Sequence, residues 1–279
     1  MVVVVYFAYL AVLALVVRAP ARNRVRVVII SVAMVICAWF LGMPHIMPLA
    51  YLLIGYWLPA SLVTRPNAAI ERRLLAFDRQ LFGDGLPEFV RRAPRVVIEY
   101  LELAYLFCYA VPAAGYAWLV IAGFSARAEQ FWEIVLTASF LCYGLLPWIP
   151  SRAPRAIEPT QVPERSAVRR WNLAILARGS VQWNTFPSGH TAASVATALA
   201  LGTAVPFGGT VLGVVAASIA AGSVAGRYHY AADAIAGVLM AMVESGCFCA
   251  RRPAAPISGP KPWCVRAWTT SVGASSGPH

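Results

Sequence analysis

The chain has 279 residues, 59% of them hydrophobic and 13% charged, with a formal net charge of +11. A soluble domain carries about a quarter charged residues. Here the charges cluster between long apolar runs that do not alternate, which excludes a soluble globule and an outer-membrane β-barrel. The arginines sit beside those runs, a placement that fits anionic headgroups and phosphate, and no nucleic-acid partner is expected.

In lipid the backbone must satisfy its own hydrogen bonds, so each apolar run predicts a helix. Eight runs occur, at about 2–17, 27–43, 46–63, 96–122, 131–149, 188–205, 210–226 and 229–249. The expected fold is all-α: a polytopic transmembrane helix bundle of about six to eight spans, with its site at one membrane face. Residues 1–45 read as N-terminal transmembrane helices, 46–250 as one membrane domain and 251–279 as a disordered tail rich in Pro, Gly, Ala and Ser. The first run ends at Arg18; no basic region precedes it and no convincing cleavage site follows, so it reads as a retained helix. His45, between Pro44 and Ile46, stands alone and reads as structural or interfacial.

Two polar connections separate the runs. In 64–95, Leu74, Leu75, Phe77, Leu81 and Phe82 alternate with Arg72, Arg73 and Arg79, as in a helix lying in the interface. Just beyond it, Glu99 and Glu102 lie one helical turn apart in a run that also holds Tyr100, Tyr105 and Tyr109. They could line an acceptor-headgroup pocket, but their closeness to the loop favours a helix end near water. The second connection, 150–186, is rich in arginine and proline and leads into the first chemical motif.

That motif is Phe186-Pro187-Ser188-Gly189-His190-Thr191. Proline suits a helix's first turn. Ser188 and Gly189 would present backbone donors at a helix start, a seat for an anion, and His190 can give or take a proton there. The small residues Ala192, Ala193, Ser194 and Ala196 then permit close helix packing. The second motif is Gly226-Arg227-Tyr228-His229-Tyr230-Ala231-Ala232-Asp233. His229 and Asp233 are four apart and share a helix face. An aspartate there accepts from one ring nitrogen and leaves the other free to attack. Arg227 adds a cation for phosphate oxygens. The run after His190 crosses once and the next returns, so His190 and His229 emerge on one side, with Arg152 and Arg155 beside them.

Cys37, Cys108, Cys142, Cys247 and Cys249 lie in apolar runs and Cys264 in the tail; Cys247 and Cys249 are too close for a usual zinc pair. Neither a disulfide framework nor a metal site is expected, and no cofactor.

On these motifs the chain resembles the type 2 phosphatidic acid phosphatase superfamily, in which Pro-Ser-Gly-His and a later His-x-x-x-Asp flank one transmembrane helix. The branch it most resembles holds inositol phosphorylceramide synthase-like phosphotransferases, through Phe77-Asp78-Arg79-Gln80-Leu81-Phe82-Gly83 and Pro150-Ser151-Arg152-Ala153-Pro154-Arg155. The resemblance is sharp over 148–240 and looser over 50–147. It implies that His229 attacks phosphorus and forms a phosphohistidine, that Asp233 orients it, and that His190 protonates the leaving oxygen. Ser188, Gly189, Arg152, Arg155 and Arg227 would hold the phosphate without a metal. The implied substrate is a membrane lipid phosphate, with a lipid or alcohol as possible acceptor. Two departures stand out. No lysine precedes Lys261, where the family's first motif offers one, and Ser223 occupies the position of the family's third-motif arginine.

The arginine-rich connections share the motif side, which by the positive-inside rule is cytoplasmic. The resemblance implies the outer face, and that face is the one expected here. A vanadium haloperoxidase shares such a site, but those enzymes are soluble. A non-catalytic lipid-binding protein would not need His190, His229 and Asp233 together.

Overall fold

The computed structural model describes residues 1–41, 47–83, 85–158, 166–181, 183–184 and 186–251. His45, Cys264 and the rest of the tail beyond Arg251 lie outside the described residues. Within the described residues the chain is all-α, with no strand and one isolated antiparallel bridge, Ser151 to Asn184. The helices are α1 (Val2–Val16), α2 (Ala21–Leu41), α3 (Met47–Ala60), α4 (Ala68–Phe82), α5 (Gly85–Arg92), α6 (Arg95–Leu106), α7 (Val111–Ile121), α8 (Ala128–Gly144), α9 (Pro154–Ile157), α10 (Ala167–Gly179), α11 (Gly189–Gly202), α12 (Pro206–Ala225) and α13 (Ala231–Arg251).

The centre of the bundle is α11, which packs against α7, α8, α12 and α13. Alanine, serine and threonine make it narrow enough for that place: Ala192, Ala193, Ser194, Ala196 and Thr197 are all buried. Two of its hydroxyls bond within the helix, Ser194 Oγ to the His190 carbonyl at 2.8 Å and Thr197 Oγ1 to the Ala193 carbonyl at 2.7 Å, while the Thr191 hydroxyl is buried without a partner among the described residues. Around it α1, α3 and α8 form an aromatic layer, with Tyr6 stacked on Phe140 at 4.0 Å. The outer helices turn apolar side chains outward: Val25, Ile29, Val32, Ile36, Trp39 and Phe40 of α2 are exposed, as a lipid-facing surface requires.

Among the described residues, α2 and α12 are each long and apolar enough to cross a bilayer; the 20 residues of α12 reach about 30 Å. Fewer helices reach that length than the eight apolar runs suggested. The run over 96–122 is not one helix. A 3-10 turn at Phe107–Tyr109 breaks it into α6 and α7, bent by 69°, and Pro112 starts the new helix where its missing N–H costs nothing. Together the pair passes the same length and hydropathy test as a broken span. The α1 and α3 runs are apolar but shorter, at 15 and 14 residues.

Within the described residues both polar connections carry helices. Asn67 caps α4 by accepting from the Ala69 and Ile70 amides, at 3.0 and 3.3 Å. One face of α4 buries Glu71, Leu74, Leu75 and Asp78; Phe77, Leu81 and Phe82, expected on the apolar side, are instead exposed with Arg72 and Arg73. In the second connection lies α10, which the arginine-rich composition does not announce. Ser166 caps it, accepting from the Arg169 amide at 2.9 Å.

Candidate active site

The two motifs meet at one end of the bundle. Ser188 caps α11, its Oγ accepting from the Thr191 amide at 3.3 Å, which fixes His190 in the first turn. Two glycines let neighbouring helices close on this start. A Cβ on Gly189 would stand 2.1 Å from the Tyr143 ring of α8, and one on Gly237 of α13 would stand 2.6 Å from the Ser188 carbonyl. At the end of α12 the Ser223 carbonyl accepts from the amides of Tyr228 and His229, at 2.8 and 3.0 Å. The serine found where the third motif was expected to hold arginine therefore anchors the turn that carries His229.

The His190 and His229 rings lie 5.9 Å apart between centroids, at 79°. His229 Nδ1 is 3.4 Å from Asp233 Oδ2, at the long end of a hydrogen bond. The same oxygen accepts from Asn184 Nδ2 at 2.7 Å and from the Tyr230 amide at 3.0 Å, so a fully buried carboxylate is held in one orientation. Asn184 is itself fixed: its amide donates to the Ser151 carbonyl at 2.7 Å and its side chain to Ser151 Oγ at 3.3 Å. Rings of Tyr56 and Tyr109 flank His190 at 5.5 and 5.0 Å, the latter brought there by the bend between α6 and α7. Both histidines open on a small cleft of about 30 Å³, which Arg155, Asn184, Tyr105, Tyr228 and Ser180 also line.

The five residues expected to hold phosphate divide sharply. Arg155 lines the cleft, and among the described residues it has no carboxylate partner. Arg152 turns the other way: Nε and Nη2 each reach Glu71 of α4 at 2.9 Å, and its amide reaches the same carboxylate. That bidentate pair holds the Glu71 carboxyl below the usual carboxylate range. Arg227 has φ 60°, and this left-handed turn sends its side chain away from the histidines to Glu158, 3.0 Å off. There it borders a separate cavity of about 280 Å³ with Leu75, Asp78, Arg79, Phe82 and Glu158. The Ser188 amide, expected to face an anion, donates to the Asp233 carbonyl at 2.9 Å. Ser188 and Gly189 are both buried and do not line the cleft.

Sequence reading missed part of the surroundings. Glu102 does not sit at a helix end near water: it is 3% exposed and joins a buried network. Its carboxylate accepts from Arg169 Nη1 and from Asn172 Nδ2, both at 2.8 Å, and from the Tyr228 hydroxyl. Glu99 accepts from Ser166 Oγ at 2.9 Å and from the Ala167 and Val168 amides at 3.3 Å, a negative charge on the N-terminus of α10. Together the two glutamates tie α10 to α6, and Leu176 and Ser180 at its end wall the cleft. Their spacing of three was the visible signal; the partners, far along the chain, were not. From α4, Asp78 Oδ1 accepts from the Ala231 amide at 2.9 Å, capping α13 just after His229. Burial raises this carboxyl to about 6, with the Ala231 bond opposing and Asp233 adding to the rise. Among the described residues no group of three or more His, Cys, Asp or Glu converges as metal ligands.

Comparison with family models matches the PAP2 superfamily over residues 72–246. Comparisons with curated proteins and with solved structures return no match. The match covers well over half of the chain and runs from α4 to α13, through both histidine motifs and all of the cleft lining but Tyr56. The chain is therefore a helical membrane protein that belongs to the PAP2 superfamily, a phosphatase-type lipid enzyme by family.

Proposed function

We propose that the protein transfers phosphoryl groups of membrane lipids, acting on phospholipid or prenyl (di)phosphate through a phosphohistidine on His229. The observation that carries this reading is the pair of histidines 5.9 Å apart on one cleft, one of them oriented by a buried aspartate and both beside Arg155. Asp233 accepts from Nδ1–H and so presents Nε2 of His229 to phosphorus. As the P–O bond to the leaving group breaks, His190 gives that oxygen a proton. Arg155 faces the equatorial oxygens, where negative charge gathers in the transition state. Water or an alcohol then attacks the phosphohistidine, with His190 as base. No step calls for a metal. Asp233, Asn184 and Ser188 form the support of the nucleophile; Arg152 and Arg227 act at one remove, by fastening the α4 and α9 segments.

A second reading is transfer of a headgroup phosphate, such as phosphoinositol, to a lipid alcohol. It draws on the Phe77–Gly83 segment at the end of α4, which with Pro150–Arg155 carries the resemblance to the inositol phosphorylceramide synthase-like branch and contacts the start of α13 through Asp78. We place the site on the outer membrane face. The experiment is purified protein in lipid vesicles, offered labelled phosphatidate, prenyl diphosphate and phosphatidylinositol, each with and without an alcohol acceptor. Release of free phosphate supports the phosphatase reading. Label moving to the acceptor supports transfer, and no turnover of any of the three contradicts both.

A further inference from the structure

Arg155 reaches the cleft from α9, a helix of one turn, on a long flexible side chain. A cation that is to meet phosphate oxygens in one geometry needs a fixed seat, and a seat is visible. The Arg155 guanidinium carbon lies 5.1 Å from the centroid of the Tyr228 ring, and the Arg155 amide donates to the Arg227 carbonyl at 3.2 Å, one residue before that ring. Tyr228 is itself immobile. It is 2% exposed, and Tyr105 stacks on it at 4.0 Å with the planes parallel. Its hydroxyl donates to Glu102, whose charge is matched by Arg169, and the Arg169 guanidinium lies 5.7 Å from the same ring. The two guanidiniums at this ring differ in one respect: Arg169 is paired to a buried carboxylate, whereas Arg155 has no carboxylate partner among the described residues. The ring therefore holds a cation whose charge is not already neutralised.

We infer that Tyr228 is a positioning residue that seats Arg155 for the phosphate group, with Glu102 fixing the ring through its hydroxyl. The inference rests on the phosphoryl-transfer reading above and adds a residue that touches no reacting atom. A desolvated cation–π contact is worth roughly 1–2 kcal/mol, so losing the ring corresponds to roughly a ten-fold change in affinity for a phosphate-shaped anion. A residue that acts only through Arg155 has nothing left to contribute once Arg155 is gone, whereas a purely structural residue costs the same in either background.

The test is a double-mutant cycle on full-length protein in lipid, reading the inhibition constant of orthovanadate against phosphate-ester hydrolysis. Arg155→Ala and Tyr228→Leu should each weaken vanadate, the latter roughly ten-fold, and Tyr228→Leu added to Arg155→Ala should change it less than about two-fold. An equal loss in both backgrounds, or no loss from Tyr228→Leu alone, overturns the inference. Tyr228→Phe keeps the ring and serves if the leucine variant does not fold. It should weaken vanadate by roughly three-fold in the wild-type background, the scale of one hydrogen bond, and not at all beside Arg155→Ala. If vanadate fails to inhibit the unmutated protein, or Arg155→Ala leaves it unchanged, the phosphoryl-transfer reading falls and the inference with it. Additivity with vanadate still effective removes the inference alone.

Discussion

Replacing Asp78 with asparagine isolates the carboxylate that joins α4 to the start of α13. The side chain is 7% exposed, and burial lifts its pKa from 3.8 to about 6. Because the folded-state value is the higher one, folding is favoured by the protonated form. That contribution is fully present below about pH 3.8 and is lost as pH rises through about 6. That rise in pKa corresponds to at most about 3 kcal/mol; solvent in the cavity that Asp78 borders reduces it. Asparagine keeps the Oδ1 acceptor for the Ala231 amide and cannot ionise. Thermal unfolding of the two proteins in the same detergent, run from pH 4 to pH 7.5, is the assay. Wild type should lose stability relative to Asp78→Asn as pH rises, and Asp78→Asn should be the more stable at pH 7. Parallel pH profiles, or an asparagine variant less stable at pH 7 than at pH 4 by the same margin as wild type, would refute the argument that the carboxylate is buried at a cost.

Other consequences follow from the site. His190→Ala should slow hydrolysis strongly for an alkoxide leaving group and far less for p-nitrophenolate, which departs without a proton; a rate ratio that is flat across esters of graded leaving-group acidity would remove His190 as the acid. Activity should survive excess EDTA, and its abolition by EDTA with recovery on adding magnesium or zinc would count against the proposed mechanism. Arg152→Ala strands Glu71, which is 3% exposed, so it should destabilise the protein by about 1–3 kcal/mol while leaving vanadate affinity within about two-fold. An unchanged melting temperature with a large loss of vanadate affinity would instead return Arg152 to the phosphate site.

What was legible in the sequence follows from range. Helices showed as apolar runs because backbone pairing in lipid is local. The histidine pair showed because α11 runs out and α12 runs back, which returns the chain to the same end of the bundle. The bend at Phe107–Tyr109 did not show, since its own residues are as apolar as the helices it separates. Nor did α10, whose arginines read as a connection, although one of them, Arg169, is used inward on Glu102. The roles of the arginines were the least legible. Arg227 stands two residues from His229, yet a left-handed φ of 60° points it at Glu158. Arg152 and Arg155 are three apart on one segment, yet a carboxylate 81 residues away takes the first and leaves the second to the cleft. Partners that far along the chain leave no local pattern.

The central claim is a covalent phosphate on His229. The most direct test is rapid quenching of the protein with a phosphorus-labelled lipid substrate at high pH, followed by peptide mapping. The account predicts an acid-labile, base-stable phosphoryl group on the peptide carrying His229, present in the wild type and absent in His229→Ala. A phosphoenzyme that persists in His229→Ala, or single-turnover hydrolysis with no trapped intermediate even when breakdown is slowed, would contradict it.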